Sequence, residues 1–332
     1  MYLWKNMNES NPIQEGGPMN IAPAEKRERL LAGAVAALIV LALGGLTAAS
    51  TALNRVEREG TQERIADAPE VQARAATSDN LFDRVSITAR AAYVYDLSTK
   101  TVLYERNASA QLPLASLTKL MTALVAYDVL SPDQQVAISE ETLYPEGNSG
   151  LRAGDSWSLE DITAITLIAS SNDGAEALAS VASSARVNGQ SDSARLMNEK
   201  GREIGLTETF FTNSTGLDVS GTQGGSYGSA RDIARLFVYM IEERLPIVEF
   251  TRHERWSGRS KSGELITVNN TNELVGSIPG FIAGKTGLTD LAGGNLVVAF
   301  DRGLNEPVVV VVLGSTQEGR FSDVVALARA AR

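Results

Sequence analysis

Gly280-Phe-Ile-Ala-Gly-Lys-Thr-Gly-Leu-Thr-Asp-Leu-Ala-Gly-Gly-Asn-Leu-Val-Val-Ala-Phe300, followed by Pro307-Val-Val-Val-Val-Val-Leu-Gly314, is the stretch on which the fold turns. Two architectures compete for it. Residues 280–286 nearly spell a phosphate-binding loop, which would open a helix and place the chain among parallel α/β proteins. The spelling is one residue short, because Pro279 stands where the first glycine belongs, and Gly287, Gly293 and Gly294 follow where the helix would have to run. Residues 280–287, 294–300 and 307–314 read better as three strands. The turns between them are Gly-rich or polar and too short for a parallel crossover, so the strands are expected to pair antiparallel.

Upstream, Ala91-Ala-Tyr-Val-Tyr-Asp96 and Thr101-Val-Leu-Tyr-Glu105 flank a short turn and predict a hairpin that opens the folded part. Helical spacing of apolar residues occupies 116–130, 159–169, 175–183, 193–204 and 229–243, and a last helix is expected over 322–331. Strands at both ends and helices between them make an α+β fold. One antiparallel sheet is built from N- and C-terminal strands, flanked by helices, with a helical middle region beside it.

Composition narrows the function. A formal charge of −10 and a pI near 4.9, with no basic stripe, argue against a nucleic-acid partner. Without cysteine there is no thiol nucleophile, disulfide or thiolate metal site. The one histidine, His253, lies in the charged run Thr251-Arg-His-Glu-Arg255, reads as a surface residue and cannot hold zinc alone. No metal or cofactor is expected.

Three short motifs carry the chemistry. In Pro113-Leu-Ala-Ser-Leu-Thr-Lys-Leu-Met121, Ser116 and Lys119 fall on one helical turn where a polar approach becomes apolar. A lysine in the first turn opposes the helix dipole, which favours the neutral amine, and a neutral amine is a base for a serine nucleophile. Serine is also a favoured helix N-cap, so the pair alone is open to both readings. Of the seven lysines, however, only Lys119 has a serine three residues before it. Ser170-Ser-Asn172 stands between two apolar helical stretches, where Ser and Asn are also ordinary punctuation. Lys285-Thr-Gly287 lies on the first late strand, where glycine admits a second backbone and lysine offers a point charge to a carboxylate.

In this order, S-x-x-K, S-x-N and K-T-G resemble the set found in penicillin-binding proteins and β-lactamases. The likeness extends through residues 90–130, Asp155-Ser-Trp-Ser-Leu-Glu-Asp161 onward to 179, Met197-Asn-Glu-Lys-Gly-Arg-Glu-Ile-Gly-Leu206, Phe211-Thr-Asn-Ser-Thr-Gly-Leu-Asp218 and residues 284–314. Over nearly the whole folded region the chain is similar to the low-molecular-weight D-alanyl-D-alanine carboxypeptidases. The resemblance implies that Ser116 is the nucleophile, Lys119 its base, Ser170 the proton shuttle to the leaving group, and Asn172 the group that holds the substrate amide and orients Lys119. Lys285 and Thr286 would bind the terminal carboxylate, with the charge of Lys285 keeping Lys119 neutral. Gly287 would leave room for the substrate strand, and the N–H groups of Ser116 and Leu288 would form the oxyanion hole. The implied substrate is a peptidoglycan stem peptide ending in D-Ala-D-Ala, and β-lactams would acylate the same serine.

The same resemblance leaves DD-endopeptidase cleavage of cross-links as an alternative. A class A-like β-lactamase fits less well, because no loop glutamate stands in an E-x-x-L-N context. A non-catalytic sensor of cell-wall peptides is the alternative from another class. Ser171 occupies the middle of the second motif, a position expected to vary with specificity, and Asp173 and Gly174 follow Asn172 as departures from the family pattern.

Residues 30–49 are an uncharged run of 20, long enough to span about 30 Å as a helix. Lys26, Arg27 and Arg29 before it are balanced by Arg55, Arg58 and Arg64 after it, and only the nearest flank favours an inside N-terminus. The expected organisation is a cytoplasmic segment 1–29, a transmembrane signal-anchor or signal peptide 30–52, a polar tether 53–84 and a catalytic domain 85–332. The catalytic domain would be extracytoplasmic on a single N-terminal membrane anchor, or secreted if the chain is cleaved after about Ala49. Many relatives carry a β-rich second domain and a C-terminal amphipathic anchor. Neither is expected after the last strand here, and the N-terminal segment is expected to replace that anchor.

Overall fold

The three late apolar runs are strands, β10 (Phe281–Thr289), β11 (Gly293–Asp301) and β12 (Pro307–Ser315), and they pair antiparallel. The early hairpin, β1 (Ala91–Asp96) and β2 (Thr101–Arg106), joins them through β1 and β12, with Tyr93 opposite Val311. The sheet order is therefore β10-β11-β12-β1-β2, with β10 at one edge. The computed structural model describes residues 81–131, 133–143, 149–185 and 192–332. The expected segments 1–29 and 30–52 lie outside the described residues, as does the tether as far as residue 80. Among the described residues no helix is long and apolar enough to cross a membrane. At the end of the expected tether, Leu81–Arg84 forms a 3-10 turn whose Phe82 stacks on Tyr104 of β2.

Strand β12 is a continuous apolar run because both faces of the sheet are covered. Val308, Val310 and Val312 pack with Val324, Leu327 and Ala328 of α7 (Gly319–Ala330). Val309, Val311 and Leu313 pack on the other side with Ile233, Phe237 and Met240 of α5 (Ala230–Glu243). All six strand residues are fully buried, which stabilises the fold by roughly 1.5–3 kcal/mol for each side chain. Buried Asp323 of α7 accepts from the N–H groups of Thr88 and Ala89 and from Ser315 Oγ, tying the segment that leads into β1 and the end of β12 to the last helix.

The middle of the chain is helical, with α1 (Thr118–Val129), α2 (Leu159–Ile168), α3 (Asn172–Ser184), α4 (Ser193–Glu203) and the short α6 (Leu245–Val248). Helix α2 is buried on nearly every side, and with Trp157, Ala177, Leu178 and Phe250 it forms a second apolar cluster. Its N-terminus is capped by Ser158, which accepts from Asp161 N–H. The expected helices are present within a few residues, with one difference that matters below. Ser116 lies in a 3-10 turn (Ala115–Leu117), and α1 starts at Thr118.

Further strands are not announced by the apolar pattern, five of them because two or three residues carry no period. β3 (Leu112–Pro113) pairs with β7 (Ser226–Gly228), which pairs with β6 (Phe210–Phe211). β4 (Gln135–Ala137) pairs with β5 (Ser156–Ser158), and β8 (Arg255–Arg259) with β9 (Leu265–Asn269).

Candidate active site

Ser116 sits on a turn pinned from several sides. Asn295 of β11, fully buried, donates to the carbonyl of Pro113, and Leu114 N–H donates to the carbonyl of Ser226 on β7. Ala115 is held at φ +49, a left-handed conformation that is costly for a residue with a Cβ and is common where a fold fixes a functional group. Leu117 is the cap residue of α1 and makes no side-chain cap bond, so Ser116 does not serve as the helix cap. The hydroxyl is left to Lys119, whose Nζ lies 2.9 Å away.

Lys119 is wholly buried, in the first turn of α1. Its Nζ has two further neighbours, Asn172 Oδ1 at 2.8 Å and the carbonyl of Thr215 at 2.7 Å. A neutral amine suits this set, since its two N–H bonds meet the two carbonyl oxygens and its lone pair faces the Ser116 hydroxyl. Burial pulls the Lys119 pKa down to about 7. Desolvation is the leading cause, and the charge interaction between Lys119 and Lys285 acts in the same direction.

Asn172 opens α3, and Ser171 caps that helix by accepting from Gly174 N–H at 3.0 Å. The middle residue of the second motif thus has a local structural task. Ser170 is held at φ +61, the second non-glycine residue of the site in the left-handed region. Its hydroxyl lies 2.9 Å from Lys285 Nζ.

Lys285, Thr286, Gly287 and Leu288 follow one another along the edge strand β10. Lys285 is buried and also donates to the carbonyl of Thr286. Burial first, then the nearby charges of Lys119 and Arg320, hold its amine well below the ordinary lysine range. An anion arriving beside Lys285 would favour its charged form. Gly287 has a closer neighbour than expected. A Cβ there would stand 2.9 Å from the Leu114 carbonyl oxygen and 3.3 Å from Leu117 N, so the absent side chain makes room for the Ser116 turn itself. Leu288 is 43% exposed at the outer end of the motif.

The structure therefore brings Ser116, Lys119 and Asn172 into one hydrogen-bonded group and joins Ser170 to Lys285. Three contributors were missed from sequence. Thr215 acts through its carbonyl, and a backbone atom leaves no residue-type signal. Thr271 shares a hydrogen bond with Thr286, the two Oγ1 atoms lying 2.6 Å apart. Arg320, buried on α7, donates to the Gly287 carbonyl at 2.9 Å. His253 is exposed. Among the described residues no group of three or more His, Asp or Glu stands together as a metal site.

The chain has relatives among known proteins. The D-alanyl-D-alanine carboxypeptidase family matches residues 74–317. The chain is 30% identical to D-alanyl-D-alanine carboxypeptidase DacF of Bacillus subtilis over 71% of this chain and 60% of that protein, so it spans less than two thirds of that relative. It is 31% identical to a D-alanyl-D-alanine endopeptidase of Pseudomonas aeruginosa over 73% of this chain and 77% of that protein. Among solved structures, ampicillin-bound penicillin-binding protein D2 of Listeria monocytogenes superposes with a TM-score of 0.62 at 30% identity, covering 74% of this chain and 98% of that one.

Proposed function

Since the chain belongs to the D-alanyl-D-alanine carboxypeptidase family, we propose that it is a serine-type D-Ala-D-Ala carboxypeptidase acting through an acyl-enzyme on Ser116. The observation that carries this is the Ser116 hydroxyl held 2.9 Å from a buried lysine whose pKa lies at about 7. Lys119 takes the hydroxyl proton as Oγ attacks the carbonyl carbon of the penultimate D-alanine. The N–H groups of Ser116 and Leu288 receive the oxyanion. Collapse breaks the C–N bond, and the Ser170 hydroxyl passes a proton to the departing amine, so free D-alanine leaves. Water then hydrolyses the ester and regenerates Ser116. Lys285 and Thr286 hold the terminal carboxylate, with the Thr286 hydroxyl oriented by Thr271. β-Lactams acylate the same serine. Residues 30–49 tether the enzyme to the cytoplasmic membrane, with the catalytic domain on the cell-wall side.

Product analysis on intact muropeptides tests the reading. The full chain is expected to release D-alanine from monomeric pentapeptides faster than it cleaves cross-linked dimers. Preferential loss of dimers would favour the endopeptidase, which the Pseudomonas relative supports. Rapid turnover of a penicillin would favour a β-lactamase, and no product from any of these a non-catalytic sensor.

Gly287→Ala supplies a separate check of the geometry. The added methyl meets the Leu114 carbonyl oxygen at 2.9 Å and displaces the Ser116 turn. Labelling by a fluorescent penicillin is expected to slow by roughly a hundredfold, the scale on which small misplacements of reacting groups act.

A further inference from the structure

Phe211-Thr-Asn-Ser-Thr-Gly-Leu-Asp218 belongs to the family resemblance, yet none of its side chains has a part in the chemistry above. The structure gives this segment a definite position. Asn213 Oδ1 accepts from Gly216 N–H at 2.7 Å, and Asn213 Nδ2 donates to the Leu217 carbonyl at 3.0 Å, which folds the turn on itself. Gly216, at φ +79, lies so close to the Ala115 carbonyl oxygen that a Cβ would stand 1.9 Å from it. Thr122 of α1 donates to the Ser214 carbonyl at 2.6 Å, and Ser214 Oγ donates to Glu176 of α3. The next carbonyl, that of Thr215, receives Lys119 Nζ.

At its far end the turn is fastened to the third motif by one side chain. Asp218 Oδ1 accepts from Thr289 Oγ1 at 3.0 Å, and Oδ2 accepts from Leu291 N–H at 3.2 Å. Thr289 is the last residue of β10, next to Leu288, and its Oγ1 also accepts from Ala292 N–H at 3.2 Å. Only Gly216 and Leu217 separate the residue whose carbonyl orients the base from the one whose carboxylate grips the strand of the oxyanion hole.

We infer that Asp218 is a positioning residue, whose carboxylate latches the Thr215 turn to the end of β10 and so fixes Lys119 relative to the Leu288 N–H. This rests on the function proposed above. Bonds to a charged acceptor are among the stronger ones, and among the described residues no other hydrogen bond links this turn to β10 or the turn that follows it. Without the latch the Ser116 turn and Lys119 stay in place through their own bonds, while the registration of base against oxyanion hole is released. The expected loss is therefore in rate and not in fold.

The test is the acylation rate constant of the full chain with a fluorescent penicillin, measured together with the final fraction labelled and the Tm. Asp218→Ala and Thr289→Val are each expected to lower the rate constant roughly ten- to hundredfold while labelling still proceeds to completion. Thr289→Ser, which keeps the hydroxyl, is expected to recover most of the rate lost in Thr289→Val. The double variant is expected to be no slower than Asp218→Ala, which already removes both bonds of the latch, the one lost in Thr289→Val included. An unchanged rate constant, a fall confined to the fraction labelled, or additive losses would overturn the inference. If Asp218→Ala does not fold, Thr289→Val and Thr289→Ser decide the matter alone. Failure of the unsubstituted chain to label would overturn the functional reading and this inference with it, whereas full labelling with an indifferent latch overturns only the latter.

Discussion

Ser116→Ala is expected to abolish covalent labelling by penicillin and to lower D-alanine release by roughly four to six orders of magnitude, as loss of the nucleophile does in other serine enzymes. The side chain is partly exposed and caps no helix, so little else depends on it. Its removal is expected to change stability by no more than about 0.5 kcal/mol, readable as a small shift in Tm. Reversible binding of the peptide should survive, because Lys285, Thr286 and their neighbours are untouched. A variant that still formed a stable adduct would place the acyl group on another residue. Labelling stoichiometry and D-alanine release, measured on the same preparation, decide between these results.

Lys119→Met is expected to be nearly as damaging, for a different reason. Methionine fills much the same volume in a wholly buried site, but its thioether is far too weak a base to receive the Ser116 proton. Loss of a general base costs typically 10²- to 10⁴-fold, and acylation by penicillin should slow by about that factor. The same variant has a signature in stability. Lys119 has a folded-state pKa of about 7, below the value of about 10.4 for a free lysine, so the unfolded chain binds the extra proton between those limits. Stability contributed through this group therefore rises with pH from about 7 to about 10.4 and is lowest, and constant, below about 7. The methionine variant lacks this dependence. Its stability relative to the unsubstituted chain should be highest at pH 6 and fall steadily toward pH 10, as denaturant unfolding at several pH values would show.

Much of this architecture is legible in the sequence because burial writes itself into residue pattern. Strand β12 could be an unbroken run of valines only if both its faces were covered, and α5 and α7 cover them. The turns on either side of β11 are too short for anything but antiparallel pairing. The three motifs converge, as their order and family resemblance imply, and Ser116, Lys119 and Asn172 meet within hydrogen-bond distance. What escaped was carried by backbone or by context. Thr215 contributes a carbonyl, which every residue has. Gly287 is small for the sake of the Leu114–Leu117 backbone, a neighbour more than 160 residues away that no local pattern announces. The helix dipole and the charge of Lys285 can be anticipated for Lys119 from sequence, whereas desolvation by the whole surrounding fold, the leading cause of its lowered pKa, cannot. The hairpin of β8 and β9 is hidden by the arginines that open and close its first strand.

The dependence of acylation rate on pH, followed with a fluorescent penicillin at saturating concentration, tests most directly whether a neutral Lys119 activates Ser116. The amine must be unprotonated to act, so the rate is predicted to rise with pH through a single transition near the Lys119 value of about 7 and to level off above it. A rate independent of pH from 5 to 9, or one that rises only near the ordinary lysine value of about 10, would contradict the assignment of Lys119 as the base.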